Sequence, residues 1–286
     1  METFYYKVAG HVFSLHTGDD SHSQLLRQYE PFLTEPTEET TFRLEIVREL
    51  PVGAFQEELR QEDEGQEIIA GHLESGEPYF EFWLGNRQCS ILVASEDYRE
   101  GRILVKDNWL FGVNNAIMVM YALATANSRT ALFHSSVVSY RGRAYMFLGH
   151  SGTGKSTHSS LWLKHIEGTE LVNDDNPVVR IEGDVARVYG SPWSGKTPCY
   201  RNVSYPVGAI VKLSQAPYNK IERLKGIKAY AAVMPSISGK RWDKRLAEGL
   251  HETENLLAML TPVWHLDCLP DEAAARLSCK TCTNEP

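Results

Sequence analysis

The stretch GHSGTGKST, Gly149 to Thr157, restricts what this 286-residue chain can fold into more than any other segment. It fits the spacing G-x-x-x-x-G-K-[ST] at Gly149, Gly154, Lys155 and Ser156, and each residue type there has a physical reason. Glycine lets the backbone wrap closely around phosphates, because a Cβ would collide or forbid the dihedrals required. Successive N–H groups then converge at a helix N-terminus, where the helix dipole favours an anion. The flanks agree: AYMFLG reads as a strand entering the loop, and GKSTHSSLWLKHI reads as a helix that Gly168 can close. Gly149, His150, Ser151, Gly152, Thr153, Gly154, Lys155, Ser156 and Thr157 are therefore the expected phosphate cradle. Lys155 would bring a mobile positive charge to the β and γ phosphates and Ser156 a hydroxyl to Mg²⁺, so ATP and Mg²⁺ are the ligands implied. The bland reading is a glycine-rich turn without a ligand.

The next apolar run, ELVNDD, ends in acids. If strand, loop, helix and strand form a βαβ unit, Asp174 and Asp175 come to lie at the C-terminal strand edge beside the cradle. One carboxylate there can hold a metal while the other accepts the proton of an attacking hydroxyl. Asn-Asp-Asp-Asn-Pro is also ordinary turn chemistry, and it is the neighbouring cradle that favours function. His134 stands at the start of a strand, ALFHSSVVSY, whose partner AYMFLG is reached through the tight turn Arg141-Gly142-Arg143. That pairing brings His134 toward the mouth of the cradle.

The rest of the chain falls into a β-rich N-terminal domain, residues 1–128, and an α/β domain, residues 129–286. FYYKVAGHVFSL, TTFRLEIVREL, PYFEFWL and QCSILVA read as strands, whereas the acidic stretch from Gln56 to Glu67 reads as a solvated helix or loop. A helix is expected from Asn114 to Ala126, capped by Asn114 or Asn115, with Ile117, Met120, Tyr121 and Ala124 on one face. Further on, VVRIEGDVARVYG reads as a hairpin, VGAIVKL and PVWHLDCL as strands, and RLAEGLHETENLLAML as a helix. The basic segment from Met234 to Arg245 reads as a solvated loop, with a lid or acceptor dock as the alternative.

A net charge of −8 argues against a broad nucleic-acid or anionic-membrane surface. The run AIMVMYALATA is shorter than the roughly 20 residues a membrane-spanning helix needs, and METFYYKVAG lacks the pattern of a secretory signal. Five cysteines, including the pair Cys279 and Cys282, fit a reducing compartment better than a disulfide framework. The expectation is a cytoplasmic protein, and a homo-oligomer is compatible with it.

Taken in order, His134, SVVSYRGRAYMFL, GHSGTGKS and LVNDD resemble the HPr kinase/phosphorylase family. More distantly they resemble the ATP-dependent phosphoenolpyruvate carboxykinases that share its nucleotide-binding core. The resemblance covers residues from about 131 to 180. It implies an α/β (α+β overall) fold, with a P-loop core of that family behind the β-rich N-terminal domain, which would recruit the acceptor. It also implies phosphoryl transfer from ATP to a serine hydroxyl on a protein or peptide. By that likeness Lys155 contacts the phosphates, Ser156 meets Mg²⁺ and Asp174 joins the metal shell. Asp175 is the base that deprotonates the acceptor, and His134 ionises or orients it. The segment from Gly190 to Gly208 departs from the family. It has neither the metal-binding glutamate nor the R-G-L-G-type segment tied to reverse phosphorolysis, so the reverse reaction and HPr as substrate are not carried over. Its SPWSGK offers Ser194 and Lys196 either to phosphate or acceptor, or to a plain Pro/Gly turn.

Two other functions stay open at this level. A nucleotide-binding regulator or slow NTPase would use the same cradle without an acceptor. A carboxykinase would need a second metal site and several anion-binding arginines.

Overall fold

The computed structural model of the chain describes residues 2–18, 26–195 and 197–283; Lys196 lies outside the described residues. The chain divides into two compact units, Met1–Thr125 and Ala126–Pro286. Each is built on one large mixed sheet, which makes the fold class mixed α/β.

In the N-terminal unit the strands are β1 (Glu2–Val8), β2 (His11–Thr17), β3 (Phe42–Val47), β4 (Phe55–Asp63), β5 (Gln66–Leu73), β6 (Pro78–Leu84), β7 (Arg87–Ala94) and β8 (Glu100–Val105). They lie in the order β1-β2-β3-β8-β7-β6-β5-β4, with β3 parallel to both neighbours and the other pairs antiparallel. Helix α1 (Trp109–Ala124) packs its buried Ile117, Met120 and Tyr121 toward this sheet. It starts five residues before the sequence expectation, because Asn108, in the left-handed conformation, accepts from the Phe111 N–H and caps it. Asn114 and Asn115 are not caps: Asn114 accepts from the Tyr29 hydroxyl, and Asn115 donates to the Phe111 carbonyl.

The acidic stretch expected as a helix or loop is strand β4 and its turn into β5. It is an edge strand exposed along nearly its whole length. Hydrophobic alternation therefore says nothing about it, and charged side chains are what discourage a bare edge from pairing with other chains.

In the C-terminal unit β9 (Thr130–Phe133), β10 (Ser135–Tyr140), β11 (Arg143–Leu148), β12 (Glu170–Asp175), β13 (Val178–Glu182) and β14 (Val185–Tyr189) precede the long β15 (Ser204–Gln215). After it come β16 (Lys220–Leu224), β17 (Ile237–Ser238) and β18 (Val263–Cys268). The first stretch of β15, Ser204–Pro206, pairs with β14, and the rest, from Val207, pairs with β11 and β18. Two half-sheets therefore meet on one strand. One runs β12-β10-β11-β15-β18-β16 and the other β15-β14-β13-β9-β17.

Helices α2 (Lys155–His165) and α5 (Glu272–Thr283) cover the first half-sheet, and α4 (Lys244–Leu260), with the short α3 (Ile227–Val233) against it, covers the second. Between α2 and the strands, fully buried Trp162 sits with its ring centroid 5.1 Å from Tyr145 and 5.6 Å from Phe147. His158 of α2 is buried beside it and donates from Nε2 to the Ser278 hydroxyl of α5 at 2.9 Å, since that hydroxyl's own proton goes to the Ala275 carbonyl. Burial pushes the His158 imidazole down to about 4. Cys279 and Cys282 lie on α5 against the same core, and burial pushes the Cys279 thiol up, away from the thiolate that redox or metal chemistry needs.

Two further expectations need correction. ALFHSSVVSY is not one strand. β9 pairs with β13 and β17 in one half-sheet, β10 pairs with β11 and β12 in the other, and the chain changes sheets at His134. The segment from Met234 to Arg245 is not a solvated loop. Its β17 pairs with β9, and Arg241 donates to the carbonyls of Met234 and Ile237 and to the buried Glu254 carboxylate at 2.6 Å. Among the described residues no helix is long and apolar enough to cross a membrane.

Candidate active site

Register explains how residues far apart in sequence converge. Ser135, the first residue of β10, stands opposite Leu148 of β11 on one side and Asp175 of β12 on the other. With strands about 4.8 Å apart, the ends of β11 and β12 lie roughly 10 Å from each other. His134, one residue before Ser135, falls between them. Its two ring nitrogens span that gap. Nδ1 lies 3.0 Å from Asp175 Oδ1, and Nε2 lies 2.7 Å from Lys155 Nζ. A carboxylate can only accept and an ammonium can only donate, so the imidazole is neutral with its proton on Nδ1. A protonated ring would set an N–H against the lysine's own N–H.

The loop between β11 and α2 holds the residues expected to form the cradle. Gly152 at φ 77° and Gly154 at φ 104° take backbone conformations that side chains disfavour. Gly154 is the N-cap of α2, no side chain caps that terminus, and its first turn carries no acid. No side-chain cap and no acid therefore competes with an anion at the start of α2. Lys155 is buried and donates to the carbonyls of Gly149 at 3.1 Å and His150 at 3.3 Å, spanning the loop from within. Gln215, at the end of β15, donates to the Gly152 carbonyl at 3.1 Å and braces the loop from outside. His150, Ser151, Ser156 and Thr157 are exposed and Thr153 is half-buried.

The two acids occupy different surroundings. Asp174 is buried, in register with Ser136, which stands opposite Phe147. Ser136 shares a 2.6 Å hydrogen bond with Ser159 of α2. Paired residues share a face, so Asp174 is on the α2 side of the sheet, the side of Ser156. Asp175 is partly exposed and holds both oxygens in hydrogen bonds, Oδ1 from His134 and Oδ2 from Asn176 Nδ2 at 2.6 Å. Among the described residues no three His, Cys, Asp or Glu side chains gather as a metal cage. Mg²⁺ needs none, since it is held by one or two carboxylates, waters and substrate phosphates. One buried carboxylate and a helix-start hydroxyl on the same face fit that pattern.

The structure thus places His134 in contact with both Lys155 and Asp175, and Asp174 is the preceding residue of β12. Ser194 is bridged to Asp175, and its hydroxyl lies 2.7 Å from the Thr197 carbonyl and 3.3 Å from the Asp174 carbonyl while accepting from the Cys199 N–H at 3.2 Å. Asn176, Gln215 and Ser236 are contacts that sequence reasoning did not assign. The Ser236 carbonyl accepts from the His134 N–H at 2.7 Å, a backbone bond that leaves no mark on side-chain pattern.

No protein-family model and no curated protein matches this chain. Among solved structures, that of the Hpr(Ser) kinase/phosphatase from Coxiella burnetii is similar at a TM-score of 0.30 and 10% sequence identity, over 52% of this chain and 93% of that one. A likeness of that size decides nothing about fold family or activity.

Proposed function

We propose that this chain is a Mg²⁺-dependent kinase, of the HPr kinase-like kind, that transfers a phosphoryl group from ATP to a serine hydroxyl of a protein or peptide. One observation carries the reading: the unbroken line Lys155–His134–Asp175, which joins the cradle to a carboxylate at the sheet edge. A bare nucleotide holder has no use for the carboxylate end of that line. Mg²⁺, when bound, supplies positive charge to the phosphates. Lys155 would exchange the loop carbonyls for the polyphosphate, and Ser156 with Asp174 would hold the metal. Asp175 would take the proton of the acceptor hydroxyl as its oxygen attacks the γ phosphorus, whose bond to the bridging oxygen breaks to release ADP. His134, donating from Nδ1, keeps that carboxylate aimed and shares the charge of Lys155 through Nε2.

The test combines γ-labelled ATP, Mg²⁺ and a panel of serine-containing peptides and proteins with calorimetry of nucleotide binding. Asp175→Asn should lower transfer about 10³-fold and leave nucleotide affinity within about threefold. Lys155→Ala should weaken nucleotide binding about 10- to 100-fold, as loss of a charge-assisted contact does. Tight nucleotide binding with no acceptor labelled, or an Asp175→Asn protein that transfers normally, would replace the kinase by a nucleotide-responsive regulator.

A further inference from the structure

Asp175 has a backbone that its side chain does not favour. Six other described non-glycine residues have positive φ, all between 36° and 57°, the ordinary left-handed well. Asp175 is at 141°, a region sparsely populated by residues with a Cβ, and such a conformation persists only where its surroundings impose it.

The surroundings that do so are a single short loop, Ser191 to Gly195. Asp175 is bridged by Ser135 on one side and by Ser194 on the other. The residue before it is tied down, since the Gly195 N–H donates to the Asp174 carbonyl at 2.5 Å. So is the residue after it, since the Ser191 hydroxyl donates to the Asn176 carbonyl at 2.6 Å. The loop is itself anchored from β12: the buried Asn173 amide donates to the Trp193 carbonyl and to the Ser191 hydroxyl, each at 3.1 Å. Gly195 lies so close that a Cβ there would stand 3.1 Å from both the Asp174 carbonyl oxygen and Asp175 Cβ.

We infer that this loop is a template that forces Asp175 into its positive-φ backbone and so presents its carboxylate to His134, which makes Asn173, Ser191 and Gly195 positioning residues for the site. The kinetic part of this inference rests on the kinase reading, whereas the conformational part does not. In a relaxed strand the Asp175 carboxylate would turn with its backbone, and the contact that orients His134 would loosen. The loop acts through the Ser191 hydroxyl, the Gly195 N–H and one missing Cβ.

Two measurements test the template. In urea unfolding, Asp175→Gly should have a higher midpoint than Asp175→Ala. Glycine in a strand is ordinarily the less stable of the two, so this inverted order reports strain at residue 175, and the usual order would overturn the inference. In the wild type the ¹⁵N resonances of the His134 ring should carry an Nδ1-protonated signature, and in Gly195→Ala they should move toward a mixture of tautomers. If the kinase reading holds, kcat for transfer should fall about tenfold with KM for ATP unchanged, as small misplacements of a reacting group do. Ring resonances unchanged in Gly195→Ala would overturn the template. A wild type without transferase activity would remove the kinase reading alone. Should Gly195→Ala fail to fold, the glycine-against-alanine comparison decides by itself.

Discussion

In the N-terminal unit the charged side chains crowd the edge strand β4, where Arg60 pairs with Glu57 at 2.8 Å and with Glu67 at 2.9 Å in open solvent. In the C-terminal unit Lys155, Asp174, Lys240 and Glu254 are buried. An exposed pair costs little to make and contributes little, whereas a buried charge survives only with partners already in place. The first unit uses charge to keep an edge soluble. The second uses it to fix atoms. The two buried groupings of the C-terminal unit are joined through backbone: His134 donates to the Ser236 carbonyl, and Arg241 holds the carbonyls of Met234 and Ile237 on either side. The Arg241–Glu254 pair thus stabilises the segment against which His134 is seated.

The contrast is most easily broken at Glu254. Its side chain is fully buried and accepts from Arg241 at 2.6 Å, from the Tyr230 hydroxyl at 2.7 Å and from His251 at 3.2 Å. Burial and that carboxylate push the Tyr230 phenol up to about 12, so it remains a donor. Glu254→Ala should lower stability by about 3–5 kcal/mol, because it strands a half-buried guanidinium. Urea denaturation checks this, and a loss below about 1 kcal/mol would show that the C-terminal unit does not depend on its buried charge.

A smaller effect is expected from His158. Its folded-state pKa of about 4 lies below the ordinary 6.5, so the unfolded chain binds the extra proton first as pH falls. The neutral ring's contribution is whole above about 6.5 and is lost progressively toward pH 4, reaching roughly 3 kcal/mol. His158→Gln, which keeps a donor for Ser278, should flatten the stability profile over that window. An unchanged slope would mean that another group governs acid unfolding.

What the sequence disclosed follows from where the information sits. The strand, loop and helix from Arg143 to His165 were legible because glycines, lysine and serine at fixed spacing are side-chain facts that mark the turn between β11 and α2. Strand β4 was misread because a strand exposed along nearly its whole length has no alternation to show. The break of ALFHSSVVSY at His134 was hidden because both halves are apolar, and only pairing distinguishes them. The segment SPWSGK was read only as facing phosphate or acceptor, or as a Pro/Gly turn. Its hold on Asp175 was hidden, because the Ser191 hydroxyl and the Gly195 N–H act on the carbonyls of Asn176 and Asp174, and no side-chain pattern shows which carbonyls a loop will meet.

The finest test of the comparison lies within the N-terminal unit, which among the described residues has one buried carboxylate of its own. Glu81 on β6 accepts from the Tyr79 hydroxyl and the Trp83 indole N–H, each at 2.7 Å, on a single strand. Every partner is two residues away, so the group is satisfied locally and fixes nothing distant. Glu81→Gln keeps one acceptor, and the Tyr79 hydroxyl can turn to accept from the new amide, so the loss should be about 1 kcal/mol. Arg60→Ala, which breaks two exposed pairs at once, should leave the unfolding midpoint within error. If Arg60→Ala proved the more damaging of the two, the edge of β4 would be a structural element rather than a solubilising one, and the contrast between the units would fail at its cheaper end.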